Sequence, residues 1–231
     1  MKVFLAEIIK TRGTKENSIH IVFPLLWTLL FYFYSQGRDI EYEKELFYFC
    51  QSLGILFPFA ASLVVALHME GEKEGGFFLS LSSGKNRMQF FGIKILRFLV
   101  WGWLSIFFSL FLFSLLKGQG NIFLFVKLSL IFILTTVPLY GMCFFIASIF
   151  PMSVGLVSGV FSTILSALLL TGLGEGIWPL LPFPWAAIYP SLYLTGGVDI
   201  FHCLWSLFVC LLLFIPLLIW YNRWEGRSWE G

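Results

Sequence analysis

The sequence predicts an all-α, polytopic membrane protein, because long uncharged runs fill most of its length. Six runs contain no acidic or basic side chain apart from histidine, and each approaches or exceeds the roughly 20 apolar residues that cross ~30 Å of hydrocarbon. They are Ile19–Tyr34, Leu46–Leu67, Phe98–Leu116, Leu128–Phe150, Val154–Leu173 and Phe201–Tyr221. Because lipid offers no partner for a bare N–H or C=O group, each run must be helical.

Composition agrees with this fold class. Hydrophobic residues make up 58% of the chain and charged residues only 12%, about half the usual charged share of a soluble domain. Six spans nearly consume the 231 residues, so we expect a single transmembrane domain over residues 1–231 with no folded soluble domain beside it. Any energy source must then come from another chain or from an ion gradient.

The distribution of Lys and Arg predicts the orientation. With six spans and both termini inside, eleven basic residues face the cytoplasm and four face outward. The positive-inside rule therefore places both termini in the cytoplasm, together with the polar segment of residues 69–97.

The uncharged stretch Ile177–Leu194 could be taken for a seventh span. It contains four prolines, each of which costs the interior of a helix ~3 kcal/mol. A seventh crossing would also place Arg223 and Arg227 outside. We therefore predict a re-entrant or interfacial outer hairpin over residues 174–195 instead, with its Trp and Tyr side chains at the headgroup level.

Residues 1–17 are predicted to form a helix that lies flat on the inner membrane surface. Met1, Phe4, Leu5, Ile8 and Ile9 follow helical spacing and share one face. The alternative is a plain cytoplasmic extension of the first span.

The polar segment 69–97 is predicted to be a cytoplasmic coupling loop. Its acidic first part leads into Gly75-Gly76-Phe77-Phe78-Leu79, and its end is basic. Exposed phenylalanines need a protein groove or the membrane surface, so the segment either docks on a cytoplasmic motor or folds back on lipid. The predicted motor contacts are Glu72, Glu74, Phe77, Phe78 and Leu79. Asn86 follows Gly84-Lys85 where a phosphate-binding P-loop needs Ser or Thr, so ATP is not bound here in that way.

A stripe of small residues in the fifth run follows helical spacing and includes one G-x-x-x-G pattern. Such a stripe lets two helix backbones approach closely, either between subunits or within the chain. The residues predicted to form a subunit interface are Gly155, Gly159, Ser162 and Ser166.

Signals for enzyme chemistry are weak. His20, His68 and His202 lie near run boundaries and are interpreted as interfacial. The four cysteines lie in or beside apolar runs and are interpreted as free thiols. None of the six runs has an acidic or basic residue at its middle, which argues against a proton relay and favours an external energy source.

The arrangement resembles the permease subunits of type-2 ABC exporters, and two segments resemble lantibiotic immunity permeases in particular. The first is GLGEGIWPLLPFPWAAIYP, residues 172–190, which is similar to their Gly-Leu-Gly-acidic-Gly-Ile-Trp…Pro-aromatic-x-Trp segment. The second is EGEKEGGFFLSLSS, residues 70–83, which is similar to their Glu-rich cytoplasmic segment.

The resemblance implies a multi-pass protein of a bacterial cytoplasmic membrane, not itself an enzyme. ATP and Mg²⁺ would bind to a partner ABC ATPase dimer, and a second, homologous permease would complete the complex. The cargo would be a lantibiotic or similar antimicrobial peptide, expelled so that the producer is immune to it. The chain would contact membrane lipid, and no nucleic-acid partner is expected. Glu175, Trp178 and Trp185 of the outer hairpin are predicted to hold a cationic peptide, or only to anchor the hairpin. Another amphipathic cargo, or a non-transport membrane sensor or enzyme, is the alternative function.

Overall fold

The computed structural model describes residues 15–77, 87–197 and 200–226. These residues form seven α-helices and two short 3-10 helices, with no strand among them. The α-helices are α1 (Lys15–Ser35), α2 (Tyr42–Glu74), α3 (Arg87–Lys117), α4 (Ile122–Ile149), α5 (Met152–Leu169), α6 (Trp185–Leu194) and α7 (Ile200–Arg223). The 3-10 helices are Gly172–Gly174 and Trp178–Leu180.

Each of the six apolar runs forms a helix of its own, as predicted, although the fourth run extends one residue and the fifth run four residues beyond the end of its helix. All the α-helices except α6 are long and apolar enough to cross a membrane, which indicates a multi-pass membrane protein. The ten residues of α6 extend only roughly 15 Å at 1.5 Å per residue, which is too short for a crossing. The seventh span is therefore absent from the described residues.

Helix α2 is the centre of the bundle. It is the most buried of the six long helices, and it contacts α1, α4, α5 and α6. Aromatic side chains fill its contact with α3: the rings of Phe49 and Phe113 stack with their centroids 4.4 Å apart. A hydrogen bond of 3.1 Å from Trp27 Nε1 to Ser52 Oγ ties α1 to the same helix.

Helices α2 and α3 both extend into the polar segment 69–97, so that residues 69–74 and 87–97 of the predicted coupling loop are helical. Helix α2 continues to Glu74 and α3 begins at Arg87, so the connection between them is reduced to residues 75–86. The helices continue because their charged side chains pair with one another instead of needing water. Helix α2 ends at Glu74 with Gly75 as its C-cap. Gly76 follows with a φ of 61°, which suits glycine; Gly76 N–H donates to Lys73 O and Phe77 N–H donates to Glu72 O.

The small-residue stripe packs against α2 of the same chain, which is the intramolecular alternative to the predicted subunit interface. Ser62 Oγ donates a hydrogen bond to the carbonyl oxygen of Gly155. A Cβ added at Gly159 would lie 2.6 Å from the Cβ of Ser62. Ser162 and Ser166 are also buried, and their hydroxyls bond to carbonyls one turn earlier in α5.

The segment predicted as an outer hairpin, residues 174–195, begins at the last residue of the first 3-10 helix and contains the second 3-10 helix and α6. Helix α6 packs against α2 and α4, and a Cβ at Gly54 would overlap the backbone of Ala186. Pro184 lies at the N-cap of α6, where its missing N–H costs no hydrogen bond. The predicted interfacial helix covers residues 1–17. Residues 1–14 lie outside the described residues, and residues 15–17 belong to α1.

Candidate functional site

Four ionisable side chains are buried together between α2 and α3; we call them the charge clamp. His68 and Glu72 are one turn apart on α2, and Lys94 and Arg97 are one turn apart on α3. Each is at most 4% exposed. Lys94 Nζ donates to Glu72 Oε2 over 2.9 Å, and Arg97 Nη2 lies 3.1 Å from His68 Nδ1.

Aromatic rings continue the charge clamp towards α1 and α4. The guanidinium of Arg97 lies 4.7 Å from the centre of the Phe98 ring, which is a cation–π distance. Phe98 in turn stacks on Tyr140 of α4, with centroids 5.9 Å apart. The His20 ring of α1 lies 6.1 Å from Tyr140, so contacts that start at the clamp link four long helices.

The charge clamp was not predicted from the sequence, because its residues were assigned to a loop or to the membrane surface. His20 and His68, which were interpreted as interfacial, are both covered by the bundle. The available signal was the spacing. His68 and Glu72 are i, i+4, and Lys94 and Arg97 are i, i+3, so each pair lies on one face of a continuing helix.

The geometry of the clamp is suited to holding α2 and α3 together rather than to catalysis. Breaking a buried ion pair on one side leaves an uncompensated charge, so the two helices resist separation. Among the described residues, no group of three or more His, Cys, Asp or Glu side chains could hold a metal ion.

A buried aromatic residue lies near the start of the connection that follows the clamp. Phe77 is only 3% exposed, and its ring meets Trp224 beyond the end of α7 with centroids 5.0 Å apart. Its φ of 53° is unusual for a residue with a side chain. The prediction that Phe77 is exposed is therefore wrong, and Glu72 is buried in the clamp. Glu74 is exposed, whereas Phe78 and Leu79 lie outside the described residues.

The predicted cargo residues of the outer segment are divided by burial. Trp185 is fully buried, and its Nε1 donates to the carbonyl oxygen of Trp178 over 3.1 Å. Trp178 stacks on His202 at the start of α7, with centroids 5.5 Å apart. Glu175 is exposed. Trp185 therefore holds the segment to the bundle and is covered in this conformation, which favours the alternative that it anchors the hairpin.

No family model, curated protein or solved structure matches this chain.

Proposed function

We propose that this chain is the membrane-spanning permease subunit of an ATP-driven ABC exporter, which expels a lantibiotic or similar antimicrobial peptide and protects its producer. In this proposal a separate ATPase dimer binds ATP and Mg²⁺, and a second permease completes the complex. The chain lies in a bacterial cytoplasmic membrane with both termini inside, and residues 174–195 re-enter the membrane from outside.

The observation that carries the proposal is the position of the charge clamp at the base of the connection 75–86. Glu72 lies three residues before the connection begins, and its ion pair with Lys94 joins the two helices that the connection links. A force on the connection would therefore move α2 and α3 together. Because α2 contacts four other helices, such a movement would reach most of the bundle.

Burial divides the predicted motor contacts into two roles. Phe77 fixes the connection to Trp224, next to the end of α7. Glu74 is exposed at the last residue of α2 and is the described member of the set that an ATPase could reach. The resemblance of residues 70–83 to the cytoplasmic segment of lantibiotic immunity permeases supports this assignment.

The cargo is tested by protection of sensitive cells. The chain is expressed in sensitive cells with its ATPase and second permease, and growth is measured against a panel of lantibiotics. We expect protection that disappears when the ATPase cannot hydrolyse ATP. Protection should fall with Glu175→Gln at an unchanged amount of protein, and it should persist with Asp39→Asn, at an exposed carboxylate, as the matched control. Absence of protection against every lantibiotic would refute the cargo.

A further inference from the structure

A cavity of about 780 Å³ lies where the first turns of α2, the turn between α3 and α4, and the end of α6 meet. It is at the opposite end of α2 from the charge clamp. Aromatic side chains dominate its walls, together with one carboxylate: the lining includes Tyr42, Glu43, Phe47, Tyr48, Leu124 and Tyr193. The volume is in the range of small-molecule sites.

The charges around this cavity leave one carboxylate without a counter-ion. The Lys44 side chain also lines the cavity, but its Nζ lies 2.8 Å from Glu41 Oε2, and this hydrogen bond and charge lower the pKa of Glu41. Lys117 pairs with Glu45 in the same way. Glu43 is exposed and makes no ion pair within the part of the chain that the structure describes.

The walls of the cavity are held in place by the fold. Tyr42 stacks on Phe113, with ring centroids 6.3 Å apart, and Asn121 Oδ1 accepts a 2.9 Å hydrogen bond from Phe123 N–H as the N-cap of α4. Tyr48 is half exposed and leaves ring surface open to a ligand. A fixed aromatic wall beside a free carboxylate is the combination that attracts a cation with apolar substituents, because both the ring faces and the carboxylate favour positive charge.

We propose that this cavity binds an amphipathic cation, with its charge beside Glu43 and its apolar part against Tyr48 and Phe47. A lysine side chain of a peptide, flanked by apolar residues, has the same chemistry. Its use as an entry site for cargo rests on the proposed function, whereas binding itself requires only this chain.

The test compares two ions of the same shape and opposite charge. Radiolabelled tetraphenylphosphonium and tetraphenylborate are titrated onto the purified chain in nanodiscs of zwitterionic lipid, and partition into empty nanodiscs is subtracted. We expect saturable binding of tetraphenylphosphonium at one site per chain, and no saturable binding of tetraphenylborate. Equal binding of the two ions, or no saturable binding of the cation, would overturn the proposal.

Variants locate the site. Glu43→Gln should weaken binding of the cation about tenfold, and Tyr48→Leu about threefold, in line with the strengths of charge and cation–π contacts. Asp39→Asn removes an exposed carboxylate outside the cavity lining and should leave binding unchanged. Equal effects of Glu43→Gln and Asp39→Asn would mean a diffuse surface charge effect and would refute the site. This assay uses no ATPase, so its outcome is independent of the protection experiment.

Discussion

The charged side chains of the charge clamp are buried away from water and pair with one another. Lys94 and Glu72 are both almost fully buried, and their ion pair compensates charges that water hardly reaches. The pair Lys73–Glu70 lies nearby on α2, but its side chains are partly exposed and its atoms are 3.7 Å apart. The contrast between these two pairs gives a direct test of what burial does to an ion pair.

Lys94→Met should destabilise the fold by about 3 kcal/mol, because it leaves the Glu72 carboxylate buried without its ammonium partner. Lys73→Met, the matched control, should cost about 0.5 kcal/mol or less. Adding Glu72→Gln to Lys94→Met should restore part of the loss. Reversible denaturation in mixed micelles measures all four proteins. Equal losses of stability for Lys94→Met and Lys73→Met would show that Lys94 and Glu72 are not a coupled buried pair.

Individual residues were the scale at which the sequence was least informative. Phe77 reads as an exposed anchor because charged residues and glycines surround it, yet it packs on Trp224, about 150 positions along the chain. Trp185 reads as an interfacial anchor, but the bundle covers it completely. Both errors have one cause: burial depends on contacts between distant segments, which local composition does not encode.

Close backbone contacts fix how the helices pack. Gly54 lets α6 approach α2 until their backbones touch, and Gly159 lets α5 approach the Ser62 side chain of α2. Gly71 is on α2 as well, but nothing lies within 4 Å of a Cβ placed there. Glycines on one helix therefore have opposite expected responses to a methyl group.

Gly54→Ala should destabilise the protein by about 3 kcal/mol, because the new methyl group must displace the backbone of α6 rather than a flexible side chain. Gly71→Ala should be neutral or stabilise by up to about 1 kcal/mol, since alanine is the better helix former. The same denaturation assay compares them. Similar effects of the two changes would contradict the packing of α6 on α2.

Gly159→Leu should weaken the single chain, because the leucine would separate α5 from Ser62 of α2. We expect a loss of about 3 kcal/mol in the isolated chain, by overpacking. Val157→Leu, on the exposed face of α5, is the control and should change stability little. If Gly159→Leu left the isolated chain as stable as the control and only broke a complex with another permease, the stripe would be a subunit interface after all.

Secondary-structure elements were predicted well where the hydrocarbon environment alone determines the structure. All six long helices follow from uncharged runs, because a spanning segment has no other way to satisfy its backbone. The prolines of Ile177–Leu194 correctly excluded a seventh span. Helix ends were less predictable: α2 and α3 extend through charged residues that pair across the bundle, which a single run cannot reveal.

Orientation is a property of the whole molecule, and it is testable by chemical labelling. In a background with the native cysteines replaced, Glu41→Cys should react with a membrane-impermeant thiol reagent added outside intact cells. Glu225→Cys, exposed beyond the end of α7, should react only after the cells are opened. This outcome is expected because six crossings with both termini inside keep most Lys and Arg residues in the cytoplasm. Labelling of Glu225→Cys in intact cells would place the C-terminus outside and contradict the predicted orientation.

The most direct test of the proposed permease role is whether an ATPase accompanies the chain. A tagged chain is purified in mild detergent from its native membranes, and the bound proteins are identified and assayed for ATP hydrolysis. We predict a stoichiometric ATP-binding partner that is lost with Glu74→Arg and retained with Asp39→Arg, at equal yields of folded chain. A chain that purifies without any ATP-hydrolysing partner, even after cross-linking in intact cells, would contradict the account.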